Sequence, residues 1–312
     1  MINRHQFVQS SMSVLAVSAL PSLIAAQLIP DDLERWTVND CCVPCIIGVG
    51  SAGCNAVAHM MAGNVQNVKF IGSNTEDDIR AALEGSYFLF IIGDMSSDAR
   101  AAAEMARIAH IGESLGTLTV CIVTVPVDFD GSDDWEHARG DLSTLQTHVN
   151  SLIVIRHETL HQTIGKNGHQ DDVYALYNEV VKNVVSGIST IINVRDYVCV
   201  EAEDVRTSID NPGLGVMAMG MASGPERGRL AAEQAIACPL LQDANLSDAL
   251  GILVIISGPK ETFRLSEIGL AMKTLSNFIS PDVHLICGTS YDETLNGSIR
   301  VILLATGLVG HS

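Results

Sequence analysis

Basic residues are scarce in this chain: 18 Lys and Arg stand against 36 Asp and Glu in 312 residues, a formal charge of −18. Charge of that sign repels nucleic-acid phosphates, so nucleic acid is not an expected partner. Internal repeats and low-complexity stretches are missing as well, which excludes solenoid arrays and long disordered linkers. A disulfide framework is also missing. Cys41, Cys42, Cys45, Cys54, Cys121, Cys199, Cys238 and Cys287 stand mostly singly in apolar runs, as buried free thiols do in a reducing compartment, and the expected location is the cytoplasm.

What is present is core-forming material, with 47% hydrophobic and 17% charged residues, enough for one large or two ordinary domains. Residues 1–40 read as an N-terminal extension. Its uncharged run from Gln6 to Pro30 is long enough to span a membrane, but Ser10, Ser11, Ser13, Ser18, Ser22 and Pro21 dilute its apolarity. With Arg4 and His5 before it, the run leaves three alternatives: a helix packed on the body or on a neighbouring subunit, a membrane anchor, or a vestigial export signal.

From Cys42 onward, apolar runs (Val43 to Val49, Val68 to Gly72, Phe88 to Ile92, Leu118 to Val125, Leu152 to Ile155) alternate with amphipathic stretches. The latter are Asn55 to Ala62, Ile79 to Leu83, Arg100 to Gly112 and Leu142 to Val149. This alternation predicts an α/β domain with a parallel sheet over residues 41–173. Tyr174 to Ile192 places Ala175, Leu176, Val180, Val181, Val184, Ile188 and Ile191 near one face, which predicts a long central helix over 174–194. Beyond it the composition turns richer in Gly and Met. Leu214 to Ala222, a helix from Glu226 to Ala237, a strand from Gly251 to Ser257, a helix from Leu265 to Ile279, and strands Val283 to Gly288 and Ile299 to Ala305 form a smaller α/β domain over 195–312.

Gly48-Val49-Gly50-Ser51-Ala52-Gly53-Cys54-Asn55 follows the first strand and opens a helix, so backbone amides are able to approach an anion at the helix N-terminus. On its own such a turn serves tight packing as readily as a nucleotide. Its surroundings add Phe70-Ile71-Gly72-Ser73-Asn74-Thr75-Glu76, ALEG at Ala82 to Gly85, LTVCIVTVPVDFDG at Leu118 to Gly131 and VNSLIVI at Val149 to Ile155. EDVRT at Glu203 to Thr207, MASGPERGRLAAEQAIACPLL at Met221 to Leu241 and CGTSYDETLNGSIRVILLATGL at Cys287 to Leu308 follow in order. From about Cys42 to Leu308 the chain thus resembles FtsZ, the bacterial tubulin homologue. The resemblance implies a tubulin-type nucleotide-binding domain, a central helix and a C-terminal domain, with GDP or GTP as ligand and head-to-tail filaments as product.

Residue by residue, the resemblance assigns Gly50, Ser51, Ala52, Gly53 and Asn55 to the loop that wraps the phosphates, and Asn74 to a nucleotide contact. Asp130 stands where the family usually has a ribose-contacting glutamate. Tyr174 and Asn178, one helical turn apart, match a guanine-stacking phenylalanine and a guanine-reading Asp or Asn.

Three departures qualify the expected activity. The family's phosphate loop GGGTGTG is matched by Ser96-Ser97-Asp98-Ala99-Arg100-Ala101-Ala102, without a glycine, so side chains occupy space that the backbone must leave free. Asp98 adds repulsion of roughly 4 kcal/mol per unit-charge pair in a near-surface dielectric, which Arg100 offsets in part. Only five residues separate Glu76 from Ala82, where the family carries a γ-phosphate-sensing helix and loop. The hydrolytic NxDxxD stretch is matched by Cys199 to Asp204, leaving Glu201 and Asp204 as vestigial carboxylates on an interface loop. The chain also stops at Ser312 without the linker and docking peptide that family members carry, so a place in the standard division ring is not expected.

Two other motifs lead elsewhere. His157-Glu158-Thr159-Leu160-His161 fits HExxH, with His169 as the nearby candidate for a third ligand, and on a helix would suit a zinc hydrolase. The resemblance accounts for the stretch without zinc. Cys42-Val43-Pro44-Cys45 fits CxxC but runs straight into the first strand, as core cysteines do. The expectation is therefore an FtsZ-like protein that forms or modulates filaments, with GTP hydrolysis weak or lost, nucleotide held weakly and not required, and no metal. The partners are further copies of the chain or a conventional FtsZ, with membrane contact confined to the N-terminal segment. An active GTPase and the zinc protein are the alternatives.

Overall fold

The computed structural model describes residues 43–73, 75–95, 99–125, 133–165, 168–193, 200–211, 213–241 and 244–308. The N-terminal extension, Asn74, Ser96 to Asp98 and Asp130 lie outside them.

Strands β1 (Cys45–Gly48), β2 (Lys69–Ile71), β3 (Phe88–Asp94), β4 (Leu118–Val125) and β5 (Ser151–Arg156) are parallel and ordered β2-β1-β3-β4-β5. They are mostly apolar, with the charged residues Lys69, Asp94 and Arg156 at strand ends, because helices cover both faces. Helix α1 (Gly50–Ala62) packs on one face; α2 (Glu76–Leu83), α3 (Ala99–Ser114) and α4 (Asp133–Gln146) lie on the other. Phe88, Phe90 and Ile92 of β3 join the first face and Leu89 and Ile91 the second, the alternation that a strand imposes. A short α5 (His157–Ile164) leads to the central helix α6 (Gln170–Asn193).

The second half adds α7 (Ala202–Ile209), β6 (Leu214–Ser223), α8 (Arg227–Ile236), β7 (Gly251–Gly258), α9 (Leu265–Leu275), β8 (His284–Tyr291) and β9 (Ser298–Leu308). Its strands continue the same sheet as β6-β9-β7-β8, joined through the parallel pairs Leu152 with Leu214 and Ile153 with Gly215. Only β9 runs against its neighbours. Helix α6 holds the halves together: Val180, Val184, Ile188 and Ile191 share one core with Phe90 and Ile92 and with Leu253, Ile255 and Ile302. Helices α8 and α9 cover the opposite face of the second half. The α/β class and parallel sheet expected from the sequence are present.

Some element bounds differ from the sequence reading. Ala175 is exposed and Leu176 half-buried, while Val173 and Tyr177 are buried, so the apolar stripe of α6 is rotated from the one the alternation suggested. Helix α4 starts nine residues before Leu142, and α9 ends at Leu275 instead of Ile279. Among the described residues no helix is long and apolar enough to cross a membrane.

Candidate functional site

The C-terminal ends of β1 and β3 form a topological switch point, because the helices that follow them depart on opposite faces of the sheet. Crevices of this kind are where open α/β sheets take ligands. Gly48 and Gly53 build the first wall by close packing. A Cβ on Gly53 would lie 2.1 Å from the Ile92 carbonyl oxygen, and one on Gly48 would lie 2.5 Å from that of Gly53. The Val49 amide donates to the Ile92 carbonyl at 2.8 Å, fixing α1 on the end of β3. Gly50 has φ +70°, and a Cβ built on it would lie 3.7 Å from the Ala101 Cβ near the start of α3. Gly50 and Ser51 are exposed, Ala52 and Gly53 buried, and Asn55 exposed. Val49, the residue before α1, offers no side-chain cap, and the first turn carries no acidic residue, so the positive end of the helix dipole there suits an anion.

A second wall rises from α6 and α5. The Tyr177 hydroxyl, almost wholly buried, donates to the Gly93 carbonyl at 3.2 Å, and burial pushes its phenol up. Thr124 donates to the Asp94 carboxylate at 2.7 Å. Tyr174, exposed at 39%, meets His157 edge to face with ring centroids 6.2 Å apart. Burial lowers the His157 pKa, with Asp94 acting against it. Asn178 is half-buried on the same face as Tyr174. Glu179 ties this wall to α1, accepting from His59 at 3.2 Å and from Lys182 at 2.6 Å. Its burial raises the pKa, but the hydrogen bonds outweigh it and hold the carboxyl at about 2.

Glu201 and Asp204 lie at the other end of the sheet. Tyr87, which precedes β3, donates to Glu203 and accepts from Arg206 Nε at 3.2 Å, and Arg206 Nη2 donates to the Gly116 carbonyl at 3.1 Å. These contacts seat α7 under the N-terminal ends of β3 and β4, about 20 Å along a seven-residue strand from the Gly50 crevice. Glu201 precedes α7 and Asp204 belongs to its first turn, where the Asp204 carboxylate accepts the Glu201 amide at 3.2 Å. The stretch read as a loop is thus in part a helix start. Both carboxylates are exposed.

The structure therefore gathers Gly50 to Gly53 at one crevice with Tyr174 and Asn178 on its neighbouring helix, and sets Glu201 and Asp204 at the opposite end. Asn74 and Asp130 fall outside the described residues. Asp94 and Tyr177 have no signal in the sequence, because the crossing of α6 over β3 brings them together and no short motif does; His157 stands out in the sequence only through HExxH, as a candidate zinc ligand and not as part of this crevice. The HExxH residues do lie on a helix, α5, but Glu158 accepts from Gln162 at 3.1 Å and His169 is exposed in the turn before α6.

Residues 213–309 match the FtsZ family C-terminal domain. The chain is 30% identical over 305 residues to the cell division protein FtsZ of Neisseria gonorrhoeae, covering 84% of this chain and 77% of that protein. It is also 30% identical over 315 residues to that of Buchnera aphidicola from Baizongia pistaciae, covering 88% and 81%. In fold it is similar to an empty FtsZ dimer from M. jannaschii, with a TM-score of 0.77 at 24% identity over 85% of this chain and 88% of that one. It is also similar to a GTPγS-bound protofilament of CetZ2 from Haloferax volcanii, with a TM-score of 0.64 at 14% identity over 86% and 94%. With a glycine-built helix start at the switch point and such relatives along most of its length, the chain belongs to the FtsZ family.

Proposed function

We propose that this protein is an FtsZ-type filament subunit whose nucleotide end serves head-to-tail assembly more than GTP turnover, with residues 41–173 as the nucleotide domain and 195–312 as the C-terminal domain. The observation that carries this is the placement of the Gly50 crevice and of α7 at opposite ends of β3. Two unlike faces on opposite ends of a rigid strand stack heterologously, and a heterologous contact propagates into an open filament unless it closes into a ring. The dimer and protofilament forms of the M. jannaschii and Haloferax proteins support the same geometry. Nucleotide binding would use Gly50 to Asn55, Asn74, Asp130, Tyr174 and Asn178. The Ser96 to Ala102 replacement and the single short helix between β2 and β3 weigh against a terminal phosphate, so GDP fits this crevice better than GTP.

Association is expected without nucleotide and is expected to strengthen with salt, which screens the self-repulsion of −18 charges. Ser51→Trp blocks one face and Asp204→Lys the other. Sedimentation should show each variant monomeric and an equimolar mixture dimeric, since one intact pair of faces remains. Filaments unaffected by either change would refute the arrangement. A wild-type monomer at every salt concentration would instead leave a conventional FtsZ as the partner.

Steady phosphate release from GTP is expected to be negligible, because the Asp204 carboxylate is already engaged at the start of α7 and no glycine lies between Ser96 and Ala102. Measured release that vanishes in Glu201→Ala or Asp204→Ala would favour the active GTPase reading.

A further inference from the structure

We propose that His110, Glu113 and His148 form a site for a divalent transition metal of the zinc class, clipping the end of α3 to the turn that enters β5. His110 and Glu113 lie one turn apart on α3, and His148 reaches them from beyond α4. The Glu113 Oε2 atom is 3.4 Å from His110 Nδ1 and 3.1 Å from His148 Nδ1. One atom from each residue lies within 4.8 Å of the other two. Tetrahedral zinc, with bonds of about 2.0–2.2 Å, needs ligand-to-ligand edges of about 3.3–3.6 Å, so two edges are nearly in place. The imidazoles meet at 70° with centroids 5.4 Å apart, and both side chains are partly exposed, so the third edge closes by rotation about their χ angles.

The bland alternative is that both imidazoles carry a proton on Nδ1 and donate to one carboxylate oxygen. A metal replaces those two donors with one cation that both lone pairs and the carboxylate bind. Two imidazoles and one carboxylate suit zinc or cobalt better than magnesium or calcium, which take oxygen ligands. Glu113 is about half exposed, which leaves a fourth position for water. The strongly acidic chain raises the local concentration of any cation.

The clip would stiffen the end of the molecule that carries α7. The Gly116 carbonyl, just past α3, accepts from Arg206, and Asn150, two residues after His148, donates to Asp210 at 2.7 Å. No short motif joins the three residues, since His148 lies 35 positions beyond Glu113, and the sequence alone therefore gives no sign of a metal here.

The test uses the full chain, stripped with a chelator and titrated with Co²⁺ and then Zn²⁺. One equivalent of Co²⁺ should give the visible absorption of a four-coordinate site, bleached by one equivalent of Zn²⁺, and saturating Zn²⁺ should raise the melting temperature by about 5 °C. Loss of an outer-shell partner alone weakens metal sites 10–100-fold, so His110→Ala or His148→Ala should weaken binding by at least about 100-fold. Both positions are partly exposed, so metal-free circular dichroism and melting should match the parent. His157→Ala/His161→Ala and Cys41→Ser/Cys42→Ser/Cys45→Ser should bind as the parent does. Undiminished binding in His110→Ala/His148→Ala, or no saturable binding by the folded parent, would overturn the proposal.

Discussion

Replacing Arg227 with alanine is expected to lower the unfolding free energy by about 3–5 kcal/mol, the usual cost of removing one partner from a buried ion pair. Arg227 opens α8 with its side chain only 8% exposed. Its Nε and Nη2 atoms grip the two Glu267 oxygens at 2.6 and 3.0 Å. Nη1 donates to the Gly297 carbonyl at 2.5 Å and Nη2 to the Thr262 carbonyl at 2.6 Å. One guanidinium thus fixes α8, the start of α9 and the turn into β9. Alanine would leave a mostly buried carboxylate and two carbonyls without these donors. Lysine should fail nearly as badly, since a single ammonium lacks the planar fork.

The pH dependence has a definite sign. Burial raises the Glu267 pKa, but the Arg227 guanidinium and the Arg264 amide outweigh it and hold the carboxyl below its ordinary 4.5. A depressed folded-state pKa contributes stability that is complete above the unfolded value and is lost as pH falls through the folded one. The deficit of Arg227→Ala should therefore be full above about pH 5.5 and shrink below it, as Glu267 takes up a proton. Urea midpoints at pH 7 and pH 3.5 measure the change. A deficit that does not vary with pH, or one under about 1 kcal/mol at pH 7, would mean the pair is not coupled as described.

Strands were the most legible part of the fold. Leu118 to Val125 has the same bounds in sequence and structure, because a strand covered on both faces reads as a nearly continuous apolar run, here interrupted by the β-branched Thr119 and Thr124. Helix α4 was legible only in its second half. Its opening, Asp133 to Gly140, has few apolar residues, and periodicity needs apolar residues to be seen. The first turn of α7, Ala202 to Asp204, falls in the stretch expected as an interface loop, because the helix is only eight residues long and buries only Val205, Ser208 and Ile209; its signal in the sequence is the acidic pair Glu203 and Asp204. At the crevice, Gly50 to Gly53 could be found from glycine spacing. Asp94 and Tyr177 could not, and His157 only through an HExxH pattern that points to other chemistry, because the three meet only through the β3–β4–β5 register and the crossing of α6 over β3.

Gly53→Ala and Gly50→Ala should differ sharply, although the two glycines lie within one helical turn. At Gly53 the new methyl carbon would sit 2.1 Å from the Ile92 carbonyl oxygen and 3.3 Å from the Gly48 carbonyl carbon. Both are backbone atoms of hydrogen-bonded strands, near the C-terminal ends of β3 and β1, and neither yields as a flexible side chain does. Helix α1 must lift off β3, which breaks the Val49 to Ile92 hydrogen bond and opens the Ala56 and Met60 packing beneath it. Overpacking of this kind costs about 3 kcal/mol or more when the obstacle cannot move. At Gly50 the methyl would meet only the Ala101 Cβ, at 3.7 Å. The cost there is the left-handed backbone at φ +70°, about 1–2 kcal/mol for a residue with a Cβ. Thermal melts should therefore fall by roughly 6–12 °C for Gly53→Ala and by about half that or less for Gly50→Ala. The binding consequence runs the other way. Gly50→Ala keeps α1 in place but puts a methyl group at the mouth of the crevice, so in calorimetry it should lose GDP affinity while retaining most of its stability. Equal destabilisation by the two changes would show that α1 is not held on β3 by this contact, and the crevice would then have no fixed wall on which to seat a phosphate.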